Sequence, residues 1–242
     1  MSSVVKNKSG TLYGIGVGPG DPELLTLKAH RLINECDVLA YPAPEVGEGL
    51  ALQIVSPLLT NDPDLFPLRL PIAVSPFPAQ QAYDQAAKIL EIPLESGKSV
   101  AVICEGDPFF YGSFMYLFAR LSENHQIKVV PGVTSIAACS SALALPLAAR
   151  NDVISIIPGP LDEKAIEERL LRTNIAVIIK VGCHLGKIKR ILEKIGVVDN
   201  AHYIERATMD NERIRLLSDM HDDTAPYFSI IIVQLSGDVL EI

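Results

Sequence analysis

Two Gly-Asp-Pro turns, each following an apolar run, carry the residues best suited to chemistry on a small molecule. They are Gly18-Pro19-Gly20-Asp21-Pro22 after Leu12 to Val17, and Glu105-Gly106-Asp107-Pro108 after Val100 to Cys104. Glycines bare the backbone amides and carbonyls, and each turn adds a carboxylate. In an open α/β sheet the ligand crevice lies beyond the carboxyl ends of the strands, so such turns suit a small polar ligand better than packing. Pro131-Gly132-Val133-Thr134-Ser135 is a third junction of strand, turn and helix, with hydroxyls where the helix opens. Alone it reads as an N-cap. With the other two it gives three strand ends of one sheet that could line one pocket.

Other chemistries fit less well. Gly14, Gly16, Gly18 and Gly20 approach a dinucleotide fingerprint, but Pro19, Asp21 or Glu23 takes the final glycine position in every frame. An acidic turn with two prolines also offers a pyrophosphate few N–H donors. Gly97-Lys98-Ser99 mimics the end of a P-loop, yet Ile92 stands at the earlier glycine position and the tripeptide precedes a strand, so it reads as a turn. His30, His125, His184, His202 and His221 show no metal-ligand spacing, and no protein-bound metal is expected. Ser135, Ser140 and Ser141 lack a Gly-x-Ser-x-Gly elbow and read as small packing residues near a helix start.

The elements that must position these turns follow from periodicity. Apolar runs of strand length occur at Leu12 to Val17, Val38 to Tyr41, Val100 to Cys104, Ile127 to Val130, Val153 to Ile157, Ile175 to Val181 and Tyr227 to Leu235, with a shorter one at His202 to Ile204. Helical patterns lie between them at Glu23 to Glu35, Phe114 to Leu121, Thr134 to Leu145, Glu163 to Leu171 and Leu185 to Ile195. The class is α/β, and several runs lack polar alternation, as parallel strands covered on both faces do. A helix that stops at Leu145-Pro146 before a strand-rich stretch from Val153 suggests two α/β domains, 1–145 and 146–242. The proline-rich piece from Asp62 to Pro78 is expected to be an extended excursion that could cover a substrate mouth.

Composition sets the setting. With 242 residues, 48% hydrophobic and 21% charged, the chain can bury a core large enough to need no disulfide or metal staple. Cys36, Cys104, Cys139 and Cys183 are far apart, form no Cys-x-x-Cys, and lie in or beside apolar runs, as buried reduced thiols do in a cytoplasmic protein. Met1 to Ser9 leads into an apolar run too short for a signal peptide or a membrane span. A formal net charge of −8 disfavours a nucleic-acid partner.

Several of these segments together resemble the S-adenosylmethionine-dependent tetrapyrrole methyltransferases of cobalamin and sirohaem synthesis. The likeness is carried by Gly14 to Thr26 (GIGVGPGDPELLT), Glu105 to Tyr111 (EGDPFFY), Pro131 to Ser135 (PGVTS) and Glu205 to Glu212 (ERATMDNE), in family order and spacing. Within the family, Gly106 to Leu117 (GDPFFYGSFMYL), Thr26 to Pro42 (TLKAHRLINECDVLAYP) and Ile179 to Ile188 (IKVGCHLGKI) resemble the precorrin-2 C(20)-methyltransferases most. Cys183 stands where many relatives carry a basic side chain.

The resemblance implies a tetrapyrrole methylase fold: a homodimer whose subunits each have two α/β domains with an active-site trough between them. It implies S-adenosylmethionine as cosubstrate, approached by Pro19, Glu105, Gly106, Asp107, Thr134, Ser135, Lys180, Val181, Ala207, Thr208 and Tyr227, and a tetrapyrrole substrate methylated at carbon 20. Asp21 and Tyr111 are the polar groups expected to face the macrocycle, with helix capping and wall packing as the alternatives. Arg69, Arg120, Arg150, Lys187 and Arg190 are candidates for its carboxylates. Other members of the fold act on sirohaem precursors, on diphthamide or on ribosomal RNA, and a non-catalytic tetrapyrrole binder is a further alternative. The acidic balance argues against an RNA substrate, and the segment Phe109 to Leu117 against both RNA and diphthamide.

Overall fold

The computed structural model describes residues 10–69 and 76–236, with residues 76–79 described by backbone alone. The first of two compact units, Met1–Thr134, contains β1 (Thr11–Gly16), α1 (Leu27–Glu35), β2 (Val38–Ala43), α2 (Leu50–Val55), β3 (Asp64–Arg69), α3 (Pro76–Glu95), β4 (Val100–Cys104), α4 (Phe114–Leu121) and β5 (Gln126–Val130). Its strands form one all-parallel sheet in the order β3-β2-β4-β1-β5. Helices fill the crossovers, so both faces are covered. Ile15, Ile33, Leu39 and Ile103 belong to the core on one face, and Leu12, Leu90, Val102 and Phe114 to the core on the other. Complete burial of a side chain of this size contributes about 1.5–3 kcal/mol, which is why β4 is apolar at every position.

The helical pattern expected from Glu23 divides in two because the sequence holds two caps. Asp21 caps a single 3₁₀ turn, Pro22–Leu24, after which Leu25 is extended. The helix proper starts behind Thr26, whose Oγ1 accepts a hydrogen bond from Ala29 N at 3.2 Å. The proline-rich piece is not a free excursion. Asp64–Arg69 pairs in parallel with β2 as an edge strand, where Pro67 is tolerated for lack of a second neighbour, and α3 opens at Pro76. Pro71 lies outside the described residues.

The second unit, Ser135–Ile242, contains α5 (Ser135–Ala142), β6 (Ile154–Pro158), α6 (Glu163–Leu170), β7 (Ile175–Ile179), α7 (Leu185–Lys194), β8 (Ala201–Glu205), β9 (Arg213–Leu216) and β10 (Ser229–Gln234). The division between Thr134 and Ser135 places α5 here, whereas a boundary at Pro146 leaves it in the first unit. The sheet order is β6-β7-β10-β8-β9, and of these pairs β6 and β7 alone are parallel. The apolar run of β10, antiparallel to both neighbours, therefore reflects burial and not parallel pairing. Ile157, Ile166, Ile178, Ile188 and Ile231 belong to its core. No helix of the described residues is long and apolar enough to cross a membrane.

Candidate active site

In the first unit the three turns meet. β4, β1 and β5 are neighbours in the sheet, so their carboxyl ends lie side by side. Val17 N donates to Cys104 O at 2.9 Å, and beyond the strands Gly18 and Gly106 exchange two more backbone bonds. Both glycines occupy the left-handed region, φ +84° and +64°. The third turn presses against them so closely that a Cβ on Gly132 would lie 2.0 Å from Gly106 O, and one on Gly16 would lie 2.5 Å from the same oxygen. At Gly106 itself a Cβ would meet only Val133 O, at 3.9 Å, so the turn is tight on one side and open on the other.

The carboxylates of these turns do different work. Asp107 Oδ1 accepts from Phe109 N at 2.9 Å and Phe110 N at 3.1 Å, while Oδ2 accepts from Gly132 N at 3.1 Å. Asp107 thus folds its own turn and ties the β5 turn to it. Asp21 Oδ1 accepts from Glu23 N at 2.8 Å, the capping alternative for this residue. Glu105 differs: its Oε1 accepts from Ala51 N at 3.2 Å, and burial pushes its pKa up. Pro19 is buried, and Thr134 and Ser135 are half-buried at the entry to α5. Tyr111 has φ +55° and is 47% exposed, its ring edge-on to Phe110 at 5.2 Å. Beside it, exposed Phe109 packs edge-on against Phe118 at 5.1 Å.

In the second unit a comparable gathering occurs. β10 runs antiparallel to both β7 and β8, so its start lies beside their ends, with Ser229 opposite Glu205. Arg206 N donates to Phe228 O at 2.8 Å, and Ala225 N to Gly182 O at 2.9 Å. These bonds bring Lys180, Val181, Ala207, Thr208 and Tyr227 to one edge of the sheet. Val181 and Ala207 are buried, Thr208 is half-buried, and Lys180 and Tyr227 are exposed. Six non-glycine residues among those described have positive φ: Tyr111, Ala144, Arg150, Lys180, Arg206 and Thr208. Three of them are expected site residues and a fourth adjoins Ala207, and strain of this kind concentrates where ligands bind.

Motif reading treats Glu205 as a marker only, yet it is a buried carboxylate at the centre of a network. It accepts from Tyr203 Oη at 2.6 Å and pairs with Arg206 at 3.1 Å. Burial and this bond push the Tyr203 phenol up to about 12. An acid closing an otherwise apolar strand was the available signal.

The basic candidates separate clearly. Arg69 binds Pro44 O and Gly47 O, and Arg120 joins Asp84 at 2.6 Å and lies over the Tyr83 ring. Lys187 ties Gly159 O and Leu161 O, and Arg190 faces Glu163 at 3.8 Å. Arg69, Arg120 and Lys187 make these bonds within their own units, and Arg69, Arg190 and Arg150 are exposed. Cys183 is exposed too, against the expectation of four buried thiols, because it sits in the turn after β7 and not within the strand. Among the described residues no group of His, Cys, Asp and Glu is placed to hold a metal ion.

The chain belongs to the tetrapyrrole (corrin/porphyrin) methylases, whose family model matches residues 11–219. It is 41% identical over 232 residues to a precorrin-2 C(20)-methyltransferase of Sinorhizobium sp, covering 93% of this chain and 95% of that one. It is 30% identical to the cobalt-precorrin-2 C(20)-methyltransferase of Salmonella typhimurium, covering 96% of this chain and 100% of that one. A solved uroporphyrin-III C-methyltransferase from Thermus thermophilus, complexed with S-adenosylhomocysteine, shares the fold with a TM-score of 0.67 at 23% identity, over 96% of this chain and 99% of that one.

Proposed function

We propose that this chain transfers a methyl group from S-adenosylmethionine to carbon 20 of precorrin-2 or of its cobalt form, in cobalamin biosynthesis. The observation that carries the reading is 41% identity along nearly the whole length of a precorrin-2 C(20)-methyltransferase, with the site motifs in place.

The donor supplies a methyl already activated on a sulfonium. Such a ligand bears no phosphate, so it calls for backbone amides and carbonyls, hydroxyls and a carboxylate. The first unit offers these at Pro19, Glu105, Gly106, Asp107 and Thr134, and the second at Ser135, Lys180, Val181, Ala207, Thr208 and Tyr227. The open side of Gly106 and the absence of any atom within 4 Å of a Cβ on Gly182 are consistent with backbone kept clear for a ligand. Glu105, a half-buried carboxylate whose Oε1 accepts from Ala51 N, is a further acceptor for ligand hydroxyls.

In this reading two copies of the chain form a homodimer in the cytoplasm, free of nucleic acid and membrane. The net charge of −8 supports the exclusion of nucleic acid. Tyr111 and Phe109 supply an exposed aromatic wall for a flat ring, and Arg150 and Arg190 are exposed basic side chains for its carboxylates. Displacement at a sulfonium needs alignment more than proton transfer: holding reactants in line is worth about 7–11 kcal/mol, against a gain of roughly a hundredfold to ten-thousandfold from one acid or base. The chain's residues therefore act by positioning and by excluding water. Incubation with methyl-labelled S-adenosylmethionine and precorrin-2, read by product mass, tests this: one added methyl is expected, and no transfer to either the metal-free or the cobalt form overturns it.

A further inference from the structure

The segment Glu205 to Glu212 pins a strained turn from both ends. Arg206 and Thr208, on either side of Ala207, have φ of +51° and +69°. Two left-handed side-chain-bearing residues around one alanine persist only where their surroundings over-determine them. At the far end Thr208 N donates to Glu212 Oε2 at 2.6 Å. At the near end the Arg206 guanidinium reaches Glu205 Oε1 at 3.1 Å, and Arg213 Nε of β9 lies 3.6 Å from the same oxygen.

Glu205 also reaches the neighbouring loop. Its Oε2 accepts from Tyr203 Oη, which lies 3.1 Å from Ser229 Oγ, and Ser229 Oγ donates to Pro226 O at 2.8 Å. One carboxylate, 5% exposed, thus links the turn 206–208 to the loop that carries Tyr227. We propose that Glu205 is a positioning residue which presets the backbone of Ala207, Thr208 and Tyr227 for the methyl donor. The inference rests on the donor reading above and goes beyond it by assigning the preset to a residue that touches no ligand.

A buried charge of this kind holds a shape as long as its partners stay paired. Glu205→Gln keeps the volume and the bond from Tyr203 but weakens the hold on Arg206, and Arg206→Met removes the guanidinium from the other side without emptying the core. Titration calorimetry with S-adenosylhomocysteine is expected to give a Kd raised by about five- to tenfold in each variant, and no further rise in the double variant, because both break one link. The KM for S-adenosylmethionine should follow, with kcat at saturating donor little changed. A merely structural role would lower the thermal midpoint while leaving Kd at the wild-type value. Wild-type Kd in folded Arg206→Met, or losses that add in the double variant, overturns the proposal. Failure of the unmodified protein to bind S-adenosylhomocysteine would instead overturn the donor reading itself.

Discussion

Gly18 and Gly106 are paired across the carboxyl edge of the first sheet: Gly106 N donates to Gly18 O at 2.7 Å, and Gly18 N to Gly106 O at 3.3 Å. The pairing welds two turns distant in sequence into one surface, and Asp107 adds the third through Gly132 N. A site of backbone atoms results, shaped by what the glycines leave out.

Gly106 and Gly132 should therefore fail differently. A methyl at Gly132 meets backbone at 2.0 Å, and the overpacking is expected to cost about 1–3 kcal/mol or more, read as a lowered thermal midpoint for Gly132→Ala. The Cβ of Gly106→Val meets only Val133 O, at 3.9 Å, and the variant pays chiefly the strain of its positive φ, of order 1–3 kcal/mol. It should fold, yet lose about a hundredfold or more in affinity for S-adenosylhomocysteine, equivalent to roughly 2.7 kcal/mol. Unchanged calorimetric affinity in folded Gly106→Val contradicts this.

Glu105 gives a pH signature. Burial raises its folded-state pKa above the unfolded value, so its contribution to stability is full below the unfolded pKa and is lost as pH rises through the folded one. Above the unfolded-state pKa the group is therefore a net burden. Glu105→Gln keeps the bond from Ala51 N and is expected to raise the thermal midpoint at pH 7, with the gap to wild type closing in acid. Donor binding should weaken in the same variant, the trade expected where a site keeps a destabilising group. A variant less stable than wild type at pH 7 refutes the assignment.

The four thiols should label unequally. Burial pushes Cys36 up to about 11 and Cys139 up to about 12, and raises Cys104 as well, while Cys183 is exposed. Native iodoacetamide treatment followed by peptide mass mapping is expected to find Cys183 modified first, and more slowly with S-adenosylhomocysteine present, since Cys183 follows Lys180 and Val181 in one turn. Equal labelling of all four is the contrary result.

Much of the first unit was legible because glycine and proline punctuate largely apolar strands: β1, β4 and β5 and the turns after them stand out in the sequence. The edge strands β3 and β9 were not. Asp64–Arg69 carries a proline and charges and does not alternate, and Arg213–Leu216 alternates but over four residues only, and is exposed along its length. The second half of the site was legible only by resemblance. That the turns carrying Val181, Ala207 and Tyr227 lie at one end of the sheet depends on β10 returning antiparallel between β7 and β8, a long-range pairing with no local signature. The role of Asp107 was hidden likewise, since its partner Gly132 lies in another turn.

The central claim concerns the position of the new methyl group. Carbon-13 NMR of precorrin-2 after turnover with S-adenosylmethionine labelled in its methyl carbon tests it most directly. A single enriched methyl bonded to carbon 20 is the expected result. Enrichment at any other carbon, or none with the cobalt form supplied as well, contradicts the account.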